Sequence, residues 1–212
     1  MSRIHKLLIA NRGEIAVRIA RSAKEMGIIT VAVYSEADAR APHVQVADEA
    51  YLIGPAPSAQ SYLQIDRILA VAKESGADAI HPGYGFLSEN AQFAERVKEA
   101  GLRFVGPSPE AIRVMGDKLS AKQAVEAFGV PLVPGTAYAI ESVEKAIEEA
   151  RRIGFPVMVK ASAGGGGKGM RIVHDADGFV EAFTMAVSEA EKSFGNGAVF
   201  IEKYVQKPRH IE

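Results

Sequence analysis

Phe155-Pro156-Val157-Met158-Val159-Lys160-Ala161-Ser162-Ala163-Gly164-Gly165-Gly166-Gly167-Lys168-Gly169-Met170-Arg171-Ile172-Val173 runs as an apolar segment, a glycine tract and a second β-rich segment. Glycine lets backbone N–H groups converge on an anion and takes positive φ without a Cβ clash. Two familiar phosphate loops can be tested against it. A Walker A loop needs glycine five positions before the Gly-Lys pair and Ser or Thr after it, but Ser162 and Gly169 occupy those places. The dinucleotide fingerprint is met literally by Gly164, Gly166 and Gly169, yet it requires a helix directly afterwards, to aim its N-terminus at a pyrophosphate. The next residues, Met170–Val173, have the composition of a strand instead. The tract therefore joins two strands of a hairpin, and a dehydrogenase-type NAD site is disfavoured.

A glycine-rich hairpin tip can fold over nucleotide phosphates as a flap; alone, it is equally well a surface turn. Its flanks add weight. Lys160 ends an apolar strand, and a lysine leaving such a strand needs an anion or a route to water. Lys118 opens a helix behind Asp117, a natural N-cap, where a cation is slightly disfavoured unless an anion is held nearby. Ala198–Val205 is an apolar strand that turns polar at Glu202-Lys203 and apolar again, a segment able to offer backbone groups to an adenine edge. Taken singly, each of these, like His210, is more simply an ordinary strand end or solvated side chain.

Outward from the glycine tract, two architectures appear. Residues up to about 110 alternate β-rich runs with helical patterns, which predicts βαβ units and a parallel sheet. Strands are expected at Lys6–Ala10, Thr30–Tyr34, Ala50–Ile53, Ala79–His81 and Arg103–Val105. Helices are expected around Ile15–Ala23, Tyr62–Ser75 and Glu89–Ala100, with Gly27 and Gly101 as stop signals. Pro107, Pro109, Pro131 and Pro134 punctuate the middle of the chain around a linking helix, Lys118–Phe128. A small α+β unit follows: helix Ser142–Ile153, strand Val157–Ala161, the glycine tract, strand Met170–His174, helix Asp177–Lys192 and strand Val199–Tyr204. The fold class is α/β, a Rossmann-like parallel sheet followed by a small α+β module.

Composition narrows the function. Lys and Arg number 25 against 26 Asp and Glu, a net charge of -1, so a broad basic face for nucleic acid is disfavoured. Any phosphate must meet a few placed groups. There is no cysteine, which excludes disulfides and thiolate chemistry. No apolar run reaches the ~18 residues of a membrane helix, and the short run Leu7–Ala10 lacks the cleavage site of a signal peptide. A cytoplasmic protein is expected.

Several segments resemble biotin carboxylases, in family order and spacing: Ile9-Ala10-Asn11-Arg12-Gly13-Glu14-Ile15-Ala16, His81-Pro82-Gly83-Tyr84-Gly85-Phe86-Leu87-Ser88-Glu89-Asn90, Met115-Gly116-Asp117-Lys118, Lys160-Ala161-Ser162 with its glycines, and Glu202-Lys203-Tyr204 through Arg209-His210-Ile211-Glu212. The resemblance runs the whole chain; no single motif is specific, but the ordered set is. It implies an ATP-grasp ligase of three parts, with residues 1–114 as the Rossmann-like domain, 115–132 as a linker helix, 133–205 as the ATP lid and 206–212 as the truncated start of a C-terminal ATP-grasp domain otherwise absent from this chain.

The implied reaction is the ATP- and bicarbonate-dependent carboxylation of biotin on a carrier protein, through carboxyphosphate. Carried over residue by residue, Lys118 and Lys160 contact ATP phosphates, Gly166 and Gly167 cover them, and Glu202 and Val205 bind the adenine or ribose side with Lys203 and Tyr204 between them. His210 lies near the nucleotide, and Tyr84 and Gly85 lie near the place where biotin enters. The resemblance also implies ATP, Mg2+ and carrier-bound biotin as ligands, a biotin carboxyl carrier and a carboxyltransferase as partners, a homodimer for the full-length enzyme, and neither nucleic acid nor membrane. Its magnesium-binding, bicarbonate-binding and catalytic groups are expected beyond residue 212, so no catalytic or metal ligand is assigned here and the chain alone is expected to be inactive. The alternatives are another ATP-grasp ligase, against which His81–Asn90 speaks, and a non-catalytic nucleotide-binding module.

Overall fold

Lys6–Ile9 forms strand β1, and its side chains are divided between two cores. The computed structural model describes residues 3–140, 142–162 and 169–209, and of Lys118 and Phe194 the backbone alone. The chain divides into two compact units, Met1–Arg113 and Val114–Glu212.

In the first unit, β1 is followed by helix α1 (Gly13–Glu25), β2 (Ile29–Ser35), the short α2 (Pro42–Val46), β3 (Glu49–Gly54), α3 (Ile65–Ser75), β4 (Ala79–His81), α4 (Ala91–Glu99) and β5 (Arg103–Phe104). Every strand pair is parallel, in the order β3-β2-β1-β4-β5. Alternation along β1 explains the two layers. Leu7 and Ile9 pack with Ile15, Ile19 and Ala23 of α1, while Leu8 faces Ile68 and Ala72 of α3 and Phe93 and Val97 of α4. A sheet covered on both faces needs an unbroken apolar strand, and Leu7-Leu8-Ile9 supplies one. Helix α5 (Pro109–Gly116) follows.

The second unit contains α6 (Lys118–Glu126), α7 (Val143–Ile153), β6 (Val157–Ala161), β7 (Met170–Val173), α8 (Phe179–Phe194) and β8 (Val199–Lys203). Its sheet is antiparallel, in the order β7-β6-β8. Val157, Val159, Val199 and Ile201 turn one face onto Ala146 and Ala150 of α7 and Phe179, Phe183 and Ala186 of α8. The α/β class and both kinds of sheet stand as expected. Among the described residues, no helix is long and apolar enough to cross a membrane.

Local departures have physical causes. Helix α3 starts at Ile65 instead of Tyr62, because the Tyr62 ring is drawn into the core with 1% exposure. The α8 helix starts at Phe179 instead of Asp177, because the Asp175 carboxylate accepts the N–H groups of Asp177 and Gly178 and holds them in a turn. Helix α5 begins at Pro109, a residue expected only as a breaker; proline is compatible with a first helical turn, whose N–H groups lack helical partners. Asp117 does cap α6, accepting the Ser120 N–H at 2.7 Å.

Candidate functional site

In the first unit, β1 and β4 are sheet neighbours, and the connection from β1 runs to β2 on the other side. This reversal of strand order is where open parallel sheets form a crevice at the carboxyl ends of their strands. Two of the sequence segments singled out meet there. The buried Asn11 amide, just after β1, donates to the carbonyls of Pro82 and Tyr84, both at 2.8 Å. Gly83 makes this approach possible: its φ is +68°, and a Cβ would come 2.7 Å from the Asn11 amide nitrogen. Its N–H donates to His81 Nδ1 at 3.0 Å, and burial, then the charge of Arg18, lowers the His81 pKa.

Tyr84 and Gly85 come together on the loop after β4. The Tyr84 ring is mostly exposed, and its hydroxyl donates to Glu14 in the first turn of α1. That hydrogen bond, with burial, raises the Tyr84 pKa. A cleft of about 650 Å³ runs along α1 past Gly13, Glu14 and Arg18.

Behind the loop lies a second cluster, which the sequence did not reveal. Asp38 accepts hydrogen bonds from the hydroxyls of Ser35 and Tyr62, at 2.7 and 2.8 Å, and pairs with Arg12 at 3.2 Å. Tyr62 stacks on Phe86 with ring centroids 5.0 Å apart, and the Arg12 guanidinium lies over both rings. Burial opposes the Asp38 charge, but the Ser35, Tyr62 and Arg12 hydrogen bonds outweigh it and hold the carboxyl below its ordinary value. Burial and the same carboxylate push the Tyr62 phenol up to about 12.

In the second unit, β6 and β7 pair antiparallel from Val157↔Val173 to Lys160↔Met170, so the glycine tract does join a hairpin. Gly169 closes the pairing: its carbonyl accepts the Ala161 N–H, its φ is +68°, and a Cβ would sit 2.8 Å from that of Ala161. Gly166 and Gly167 lie outside the described residues, as does His210, and of Lys118 only the backbone at the start of α6 is described.

Lys160 and Glu202 are brought together. Met158 faces Glu202 and Lys160 faces Phe200 across the β6–β8 ladder, which sets the two charged residues diagonally on one sheet face. Lys160 Nζ lies 2.6 Å from Glu202 Oε2. The anion expected to meet Lys160 was a phosphate; within the chain it is this carboxylate. The other oxygen, Oε1, is held by Lys122 of α6, whose ammonium also lies 5.2 Å from the Phe200 ring centroid. Burial opposes the Glu202 charge, yet the Lys122 and Lys160 hydrogen bonds keep its pKa below the ordinary value.

Lys122 was missed in the sequence. One available clue was its place one helical turn after Lys118, since positions four apart are neighbours on a helix.

Lys203, on the opposite sheet face, donates to the carbonyls of Gly154 and Phe155, each at 2.8 Å. Its N–H donates to Pro134, and the Tyr204 N–H donates to Pro156. The side chain of Lys203 is thus engaged by the fold, while Val205 leaves the strand and is 47% exposed. The outer edge of β8 is covered by residues 134–140: Thr136 and Ile201 exchange two hydrogen bonds, and Ile140 donates to Val199. Beside Lys122 and Gly135 a cleft of about 280 Å³ opens.

The parallel sheet with its switch point, and the antiparallel hairpin with lysine near its glycine tract, match the first parts of an ATP-grasp ligase. The family model described as "Biotin carboxylase, N-terminal domain" matches residues 3–112, and that described as "Carbamoyl-phosphate synthase L chain, ATP binding domain" matches residues 117–212. The chain belongs to the biotin carboxylase family.

It is 56% identical over 207 residues to a biotin carboxylase of Nostoc sp., covering 98% of this chain and 46% of that protein. The chain thus spans about half the length of this curated relative. A biotin carboxylase from Campylobacter jejuni, solved as a β-γ-ATP complex, superposes with a TM-score of 0.91 at 49% identity, over 98% of this chain and 46% of that one. The biotin carboxylase domain dimer of the Hydrogenobacter thermophilus 2-oxoglutarate carboxylase, with MgADP, ADP and bicarbonate, gives 0.87 at 48% identity, over 97% and 45%.

Proposed function

We propose that this chain is the ATP-handling N-terminal part of a biotin carboxylase, which carboxylates carrier-bound biotin from ATP and bicarbonate. One observation carries the assignment: Lys160 stands near the end of β6, a few residues before the glycine tract of a β-hairpin, with the buried Glu202 beside it. The named ligands of the Campylobacter and Hydrogenobacter structures support it.

Lys118 and Lys160 would neutralise ATP phosphates beneath Gly166 and Gly167, since phosphoryl transfer depends mainly on positioning and charge. Glu202 and Val205 would hold the adenine or ribose side, joined by Lys203 and Tyr204, with His210 near the nucleotide. Tyr84 and Gly85, on the switch-point loop, would border the place where biotin enters. In the family's reaction a bicarbonate oxygen takes the γ-phosphoryl group and ADP leaves. Carboxyphosphate then splits into CO2 and inorganic phosphate beside the biotin ureido nitrogen, and lid closure over the site would exclude water.

Magnesium belongs to that chemistry, but among the described residues no group of three or more His, Asp or Glu side chains could hold it. Its ligands would come from elsewhere in the enzyme. The proposed parts are a Rossmann-like domain at 1–114, a linker helix at 115–132, a lid at 133–205 and the start of a third part at 206–212; the division into Met1–Arg113 and Val114–Glu212 supports the first boundary. The whole enzyme would act in the cytoplasm as a homodimer, with a biotin carboxyl carrier and a carboxyltransferase as partners; the dimer named for the Hydrogenobacter domain supports the homodimer.

The 212 residues by themselves would bind nucleotide without turning it over. Calorimetric titration with MgADP, paired with a phosphate-release assay containing MgATP, bicarbonate and biotin, tests both halves. Absence of any ADP binding overturns the nucleotide assignment. Biotin-dependent phosphate release by the chain alone overturns its incompleteness.

A further inference from the structure

The Glu202 carboxylate has each oxygen on a different cation: Oε2 on Lys160 of the sheet, Oε1 on Lys122 of α6. The side chain of Glu202 is 10% exposed, those of Lys122 and Lys160 20% and 26%. The acid is therefore the group most withdrawn from water, and Lys160 is the partner with the widest way out. A carboxylate left without a counter-charge in such a place is strongly unfavourable. If Lys160 turns to a phosphate, Glu202 needs another partner. Lys122 is already in place, on an element separate from the sheet and with its ammonium over the Phe200 ring.

We propose that Lys122 is a positioning residue for nucleotide binding, retaining the Glu202 carboxylate so that Lys160 can be released to a phosphate. This rests on the assignment of Lys160 to ATP phosphates. Without Lys122, Lys160 is the cation left on Glu202 among the described residues, and a nucleotide must break that pair to recruit it.

The test is ADP affinity by calorimetry for the protein and for Lys122→Met, Lys122→Arg, Glu202→Gln and the Lys122→Met/Glu202→Gln double variant, with Lys122→Gln as a second uncharged replacement should Lys122→Met fail to fold. Lys122→Met is expected to weaken ADP binding about tenfold and Lys122→Arg to restore it, as a buried charge separated from its partner predicts. In the Glu202→Gln background, the same removal of Lys122 should change affinity by less than about twofold, because no carboxylate remains to be orphaned. A Lys122→Met protein that binds like the parent overturns the proposal. So does an equal loss in the Glu202→Gln background, which would make Lys122 a packing residue only. In both cases the parent still binds ADP, so the nucleotide assignment survives; a parent that takes up no ADP removes both.

Discussion

Asp38, in the first unit, collects a serine hydroxyl, a tyrosine hydroxyl and an arginine, whereas Glu202, in the second, collects two lysines. Both carboxyls are held below their ordinary pKa against the opposing effect of burial. The donors differ in what they can do next. The Tyr62 hydroxyl is fixed by a ring that is 1% exposed and stacked on Phe86, so it cannot leave Asp38 without opening the core. Lys122 and Lys160 reach Glu202 on long stems and retain access to water, Lys160 the more, so the pair with Lys160 can be exchanged. The first cluster is a fixed joint that braces the switch-point loop through Tyr62 and Phe86. The second is an exchangeable arrangement, suited to a site where an anion comes and goes.

The largest expected effect comes from the joint. Tyr62→Ala removes a stacked, buried ring and a donor to Asp38, and should cost about 3–5 kcal/mol; urea denaturation of the protein measures it, and a loss below about 1 kcal/mol would mean the ring is no brace. Next come the two acids themselves. Asp38→Asn should cost about 2 kcal/mol, because charge-assisted hydrogen bonds from fixed donors are lost. Glu202→Gln should cost no more than about 1 kcal/mol, because the lysines can turn to water. Equal costs for the two would break the distinction between joint and exchangeable pair.

The smallest effects are read from pH. For Asp38 and Glu202, with folded pKa values lowered, the stabilisation is present above the ordinary carboxylate range and is lost as pH falls through the lower folded values. His43 acts earlier. It is buried against Val33, and burial lowers its pKa, so the unfolded chain binds a proton that the folded chain refuses. Stability should therefore begin to fall below about pH 6.5. In His43→Gln the slope between there and the carboxylate range should shrink to the part carried by His81, whose pKa burial also lowers. A slope unchanged by this substitution would assign the loss to other groups.

How much of this was legible differs between the two regions. Strand alternation and helical spacing were enough for the parallel sheet of the first unit and for the hairpin of the second, and Met170–Val173 was enough to reject a helix after the glycines. The Asx turn at Asp175 and the helix beginning at Pro109 are not legible, because local side-chain bonds and helix-compatible proline resemble ordinary turn chemistry in a sequence. Tyr62 suits a helix by its spacing; its stacking on Phe86 depends on a loop that lies after β4.

The sequence by itself determined the class of each element, the hairpin around the glycine tract, the cap at Asp117 and the family to which the ordered motifs belong. Only the tertiary structure decided which charges meet. Lys160 and Glu202 are 42 positions apart and Lys122 and Glu202 are 80, and their contacts depend on the β6–β8 register and on the placement of α6. A shift of one residue in that register would turn Glu202 to the opposite sheet face, because successive strand residues point to opposite sides. No local pattern carries that information, since register is set by the packing of Val157, Val159, Val199 and Ile201 against the helices.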